Sequence, residues 1–205
     1  MPIIHRLSAL AFAAALAGCA TTSHQPQASA DTGAGSSAVA AYRDTIALAG
    51  RLSANYQKDG QPGSVTVSFE WSQQPGSIDV TLAGPTGQTV AMVKVTPEQA
   101  TLTQANQPPR SARDIDTLTA QTLGWSLPVS NLRDWLQGYA TDASGKRFAA
   151  SPAKNEVFTS DGWRLRFVSW QKGGATPMPS VIHAERSATA SSEELAIRIA
   201  INPPA

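Results

Sequence analysis

The chain has 205 residues, with 16 Lys and Arg against 15 Asp and Glu, a net charge of +1 and 15% charged residues, below the ~25% of ordinary soluble domains. No basic stripe is present, so nucleic acid is excluded as a partner. A single cysteine and three scattered histidines exclude an internal disulfide and a His/Cys metal cluster, and no cofactor is implied.

The first stretch is a leader. His5 and Arg6 precede an apolar run from Leu7 to Ala15, and Leu16-Ala17-Gly18-Cys19 follows, the layout of a secretory signal with cysteine after the small residues. It resembles a bacterial lipobox. That resemblance implies cleavage before Cys19, a diacylglyceryl thioether on its sulfur and acylation of its new amine. An ordinary cleaved signal with a chance cysteine, or an uncleaved helix, are the plainer readings, though the run is shorter than the ~20 residues a bilayer span needs. Ala20 rather than Asp follows the cysteine, which by the same resemblance implies an outer-membrane address, lipid-anchored and facing the periplasm. Residues 20–38 hold no aromatic or large aliphatic side chain, so they cannot bury enough apolar surface to offset their ordering entropy. The expected division is a signal peptide over 1–18, a lipidated flexible tether over 19–44 and one domain over 45–205. That domain, about 160 residues, is long enough for a real core.

From Ile46 the hydrophobic period is two. Ile46, Leu48, Gly50, Leu52, Ala54 and Tyr56 alternate with smaller or polar residues, and Asp59-Gly60 with Pro62-Gly63 mark a hairpin connection. Val65, Val67, Phe69 and Trp71 then share one face, with Thr66, Ser68, Glu70 and Ser72 on the other. After Pro75-Gly76, Ile78, Val80 and Leu82 alternate again. A tight turn at Gly84-Pro85-Thr86-Gly87 leads to Thr89–Val95, and a short strand follows near Ala100–Thr103. Strands joined by such turns are antiparallel neighbours, with one face packed and one solvated.

The period changes at Ser111, which is expected to cap a helix carrying Ile115, Leu118 and Thr122 or Leu123 on one side and ending at Gly124. Ser130, after Pro128, is expected to cap a second short helix with Leu132, Trp135 and Leu136 at i, i+3 and i+4 and Gly138 as its stop. Strands resume at Glu156–Phe158 and Trp163–Phe167 about an Asp161-Gly162 turn, then at Val181–Ala184 and Leu195–Ile201. The order is five strands, two helices and about four more strands.

Little here carries reaction chemistry. His183 is the one histidine beyond the leader and tether, where His5 and His24 lie, and no Gly-x-Ser-x-Gly elbow accompanies it. A half-buried strand histidine is the plain reading, and a lipid hydrolase centred on it the competing one. Asp114 with Asp116, and Glu193 with Glu194, read as helix-end and solvated-face charges. No phosphate-cradling glycine loop follows a strand. The chain is not expected to be an enzyme.

From about Leu48 onward the chain resembles the outer-membrane lipoprotein receptor family LolB. The resemblance rests on Gly50-Arg51-Leu52, Phe69-Glu70-Trp71, Pro85-Thr86-Gly87-Gln88-Thr89 and, most specifically, Leu127-Pro128-Val129-Ser130-Asn131-Leu132-Arg133-Asp134-Trp135-Leu136-Gln137-Gly138. Trp163 to Trp170 and Met178-Pro179 add to it. The family implies a mainly β fold with α: an antiparallel half-open β-barrel of about 9–11 strands, with two or three short helices over an apolar cavity. It implies a monomeric receptor that takes acylated lipoproteins from the soluble periplasmic carrier LolA and releases them into the inner leaflet of the outer membrane.

Such a cavity has a physical reason. Three acyl chains of about fifteen methylenes, at ~0.8 kcal/mol each, would cost on the order of 36 kcal/mol to wet. The inward candidates are Val67, Phe69, Trp71, Val80 and Leu82 from the sheet and Ile115, Leu118, Leu132, Trp135 and Leu136 from the helices. Ordinary core packing explains each of them equally well. The turn Pro85-Thr86-Gly87 matches the family's membrane-facing turn, but Thr86 stands where an exposed leucine is usual. A different class of protein, a structural or assembly lipoprotein that binds another envelope protein, fits the same pattern.

Overall fold

The computed structural model describes residues 40–58, 60–123, 128–172, 176–189 and 194–203. The leader, Cys19, His24, the tether as far as residue 39, Gly124 and Leu127 lie outside them.

The chain order is β1 (Ile46–Lys58), β2 (Gln61–Gln74), β3 (Ser77–Ala83), β4 (Thr89–Val95), β5 (Ala100–Gln104), β6 (Arg110–Ala112), α1 (Ile115–Leu123) and α2 (Val129–Trp135). Then come β7 (Tyr139–Thr141), β8 (Arg147–Ala149), β9 (Glu156–Phe158), β10 (Arg164–Trp170), β11 (Pro179–Arg186) and β12 (Leu195–Ile201). Among the described residues, ten strands form one sheet in the order β6-β5-β4-β3-β2-β1-β12-β11-β10-β9, and β7 and β8 form a separate pair. Every pairing is antiparallel. The outer strands β6 and β9 do not pair with each other, so the sheet stays half-open.

The period of two sets which face is buried. In β2 the alternation ends with Phe69, Trp71 and Gln73 buried and Glu70, Ser72 and Gln74 exposed. In β12, Leu195, Ile197, Ile199 and Ile201 are buried together. Gly50 is part of the inward row for a steric reason. A Cβ there would lie 2.2 Å from the Ala200 carbonyl oxygen and 2.8 Å from Cζ of Phe69, so the missing side chain is what lets the Phe69 ring lie across β1.

Both helices form where expected, but their caps differ. Ser111 belongs to β6. Asp114 caps α1 instead: its carboxylate accepts from the Thr117 N–H at 2.7 Å and the Thr117 hydroxyl at 2.9 Å, which holds its pKa below the ordinary carboxylate value. Aspartate outcompetes serine here because it sits where its oxygens reach the orphan N–H of the first turn. Ser130 lies within α2 rather than before it, with Pro128 at the cap position. Its N–H donates to the Asp116 carboxylate at 3.1 Å and its hydroxyl bonds the same group, joining α2 to α1. Gly138, at φ +83°, ends α2, its N–H reaching the Trp135 carbonyl at 2.9 Å. The strands β6, β7 and β8 were not expected; three residues carry too little alternation to be read from sequence.

Among the described residues, the buried apolar core lies within Ile46–Ile201. It has two unlike halves. Under β10–β12, Trp163, Leu165, Phe167, Ile182 and Ala184 are fully buried. Trp163 meets Trp135 edge-to-face at 5.5 Å, and Phe167 stacks on Phe148 at 6.3 Å. Under β1–β5 the packing is incomplete.

Candidate functional site: an apolar cavity beneath two helices

In the incompletely packed half, a cavity of about 120 Å³ separates the sheet from α1 and α2. On the sheet side it is lined by Phe69, Trp71, Val80 and Leu82 from the expected set. Leu52, Ala91, Val93, Leu102, Gln104 and Ile199 join them. From the helices come Val129, Leu132 and Leu136 of the α2 segment and Thr119 and Thr122 of α1. No charged side chain is among these residues.

The threonines suit an apolar wall because their hydroxyls are turned to helix carbonyls. Thr119 donates to Asp116 O at 3.0 Å and Thr122 to Leu118 O at 2.8 Å. Neither needs a partner from the space it borders. An apolar hollow of this kind stays dry.

The remaining expected residues sit elsewhere. Val67 is half-buried, on the same face of β2 as Phe69 but beyond the lining. Ile115 and Leu118 are buried in the core, on an α1 that packs against β5 and β6. Trp135 is buried against Trp163. α2 thus divides its apolar residues between two neighbours: Leu132 and Leu136 face the hollow, and Trp135 the solid half.

The lining residues missing from the expected set had a signal in strand register. Ala91 stands opposite Leu82, Val93 opposite Val80 and Leu102, and Ile199 opposite Leu52. Cross-strand neighbours on one face meet the same space.

The Gly84–Gly87 turn joins β3 to β4. The Gly87 N–H bonds the Gly84 carbonyl at 2.9 Å and the Gly84 N–H bonds Gln88 O at 2.9 Å, with Pro85 in the second position and Gly87 at φ +85°. Pro85, Thr86 and Gly87 are all exposed, and the Thr86 hydroxyl bonds the Gln88 side chain. The tip is polar and self-satisfied.

His183 lies on β11, opposite Arg166 of β10 and Arg198 of β12, while its neighbours Ile182 and Ala184 are buried. It therefore faces away from the cavity. Burial first, then the two arginines, hold its imidazole pKa below the ordinary value. A second, open groove of about 880 Å³ runs near β1–β3, with Glu70, Asp79, Gln171, Lys172 and Met178 among its walls. Its mixed lining does not exclude water.

An open antiparallel sheet with helices laid over one half and an uncharged hollow between them defines a half-barrel module of the kind that encloses an apolar ligand. The family model described as outer membrane lipoprotein LolB matches residues 44–203. The chain belongs to this LolB family. It is 38% identical over 160 residues to the outer-membrane lipoprotein LolB of Cupriavidus taiwanensis, covering 75% of this chain and 78% of that one. To that of Cupriavidus pinatubonensis it is 35% identical over 204 residues, covering 97% and 94%. Among solved structures, a LolA superfamily protein from Nitrosomonas europaea aligns over 82% of this chain and 89% of its own, with 8% identity and a TM-score of 0.47.

Proposed function

We propose that this chain is a non-enzymatic acceptor of acylated lipoproteins at the outer membrane. It is anchored through lipid on Cys19, takes its cargo from the periplasmic carrier LolA, and passes it to the inner leaflet of the outer membrane. The observation that carries this reading is the uncharged hollow between α1, α2 and strands β1–β5. Water is the barrier to be avoided: exposing three chains costs on the order of 36 kcal/mol, which no useful transfer rate survives. A receptor must therefore offer apolar walls continuous with those the chains leave.

The hollow is close in size to a cavity of ~150 Å³ that accepts one benzene. Full acyl chains need the helices to lift from the sheet, and the hollow is where they would part.

The test is transfer of a labelled lipoprotein from its carrier to residues 20–205, lacking the leader and Cys19. The label is expected to co-elute with the folded acceptor. If it stays on the carrier while the acceptor forms a stable complex with another envelope protein and holds no acyl chain, an assembly role replaces this one.

A further inference from the structure

β1 and β2 pair over their whole length, from Ile46↔Gln73 to Lys58↔Gln61, but β3 pairs only with Ser68–Gln74 of β2. Among the described residues, the first half of β2 thus has β1 on one side and no strand on the other. Proteins blunt such edges with lysine, proline or a bulge. Apart from Pro62 at its start this edge has none of these: Gly63-Ser64-Val65-Thr66-Val67 is uncharged and pairs with β1 without a register shift. It also adjoins the cavity. Val65 and Val67 continue the inward row of Phe69 and Trp71, Val65 being 37% exposed.

We propose that this free edge binds, as an added strand, the first residues that follow the acylated cysteine of the client lipoprotein. The inference rests on the receptor reading above. With acyl chains in the hollow beyond Phe69 and the client's cysteine at the level of Val67, its peptide would leave past Val65. The five-residue edge offers about 17 Å of unpaired main chain along that path. Main-chain pairing reads no side chains, so one edge serves any client segment able to extend, while the acyl chains supply the common recognition.

The experiment uses residues 20–205, which contain all the described core residues. It compares four labelled probes: a triacylated Cys-Ser-Gly-Ser-Ala-Ser peptide, the same peptide N-methylated at residues 2 and 4 or at residues 3 and 5, and triacylated cysteine amide. Each is loaded and its dissociation into excess phosphatidylglycerol vesicles is timed. On an added edge strand only alternate amides face β2. The unmodified peptide should therefore leave about tenfold more slowly than the cysteine amide. One N-methylated set should lose that retention and the other keep it, and hydrogen exchange within Gly63–Val67 should slow only when a retained peptide is bound. Equal rates for all four probes overturn the edge proposal and leave the receptor reading standing, as does equal loss from both N-methylated sets. Exchange already slow in the free protein, in proportion to its concentration, would give the edge to a second copy and also overturn the proposal. Failure of every probe to load, the cysteine amide included, removes the receptor reading itself.

Discussion

Ala91 is the place to ask whether the hollow holds acyl chains. It is buried in β4, stands opposite Leu82 and lines the cavity. Leaving about 120 Å³ empty costs the fold about 2.9 kcal/mol at ~24 cal/mol per Å³. Ala91→Leu adds three carbons to that space, worth about 2.4 kcal/mol at ~0.8 kcal/mol each, and ordering the new side chain returns about 0.5–1 kcal/mol. The variant is expected to be more stable by about 1.5 kcal/mol in urea unfolding, with an unchanged m-value. The same carbons displace about three methylenes of any bound chain, so affinity for a fluorescent fatty acid should fall roughly fiftyfold. The two measurements must move in opposite directions. A stabilised variant that binds the probe as tightly as before would show that the chains go elsewhere. A variant destabilised by 1–3 kcal/mol, the cost of overpacking, with binding unaltered, would show that the space was never available.

Other substitutions test the surroundings. Thr86→Leu changes an exposed, polar turn tip, so thermal unfolding should stay within about 0.5 kcal/mol of the parent. Delivery of lipoprotein to vesicles should not fall; a collapse of delivery would mean that the turn does not face the membrane. Gln137 is 1% exposed, and its side chain accepts from the Arg43 N–H at 2.9 Å and donates to the Arg43 carbonyl at 3.1 Å. Gln137→Leu leaves both groups unpaired and should cost about 1–3 kcal/mol in urea unfolding. It should also speed proteolysis near residues 40–44; unchanged cleavage would show that other contacts hold that segment. His183 faces Arg166, Arg198 and Glu185, and its folded pKa lies below the unfolded 6.5. The unfolded chain therefore binds the proton first, so stability is full above pH 6.5 and declines as pH falls below it. His183→Gln should flatten that part of the stability curve, and an identical slope from pH 7 to 5 would assign it to other groups.

What could be read from sequence divides along a physical line. The alternation of Val65, Val67, Phe69 and Trp71 and the Leu132, Trp135, Leu136 spacing are local, and each forms the element expected of it. Six of the ten residues expected to point inward border the hollow. The others show what periodicity leaves open. Trp135 is inward, yet its neighbour is Trp163, 28 positions further along the chain. Val67 is on the correct face but beyond the end of β3. Periodicity gives a side chain its direction; only register and strand length say what it meets. The hollow itself is a missing contact, decided by the small Ala91 and by α1 presenting Thr119 and Thr122 where a leucine would have filled the space. Cap choice failed for a related reason, since Ser111 was already committed to pairing with Thr101 in the sheet.

On the receptor reading proposed above, the way the helices are held bears on how so small a hollow would take long chains. α2 is pinned at its C-terminal end, where Trp135 packs on Trp163, Gln137 grips the Arg43 backbone and the Gly138 carbonyl accepts from the Ala150 N–H at 2.9 Å. Its other end has exposed polar ties, Asn131 to Asp161 at 3.1 Å and Ser130 to Asp116 of α1. Exposed polar contacts contribute little against solvent competition, whereas parting Trp135 from Trp163 would wet two large buried rings. A cover that lifts would therefore yield least at Trp135 and most at the Val129 end, while the buried Ile115 and Leu118 hold α1 on β5 and β6. That motion would open the hollow on the side of Leu132 and Val129, while the solid half under β10–β12 keeps the fold intact. On that reading, a protein that parts its own core to load would need one half that never parts, and the fully buried aromatic cluster would supply it.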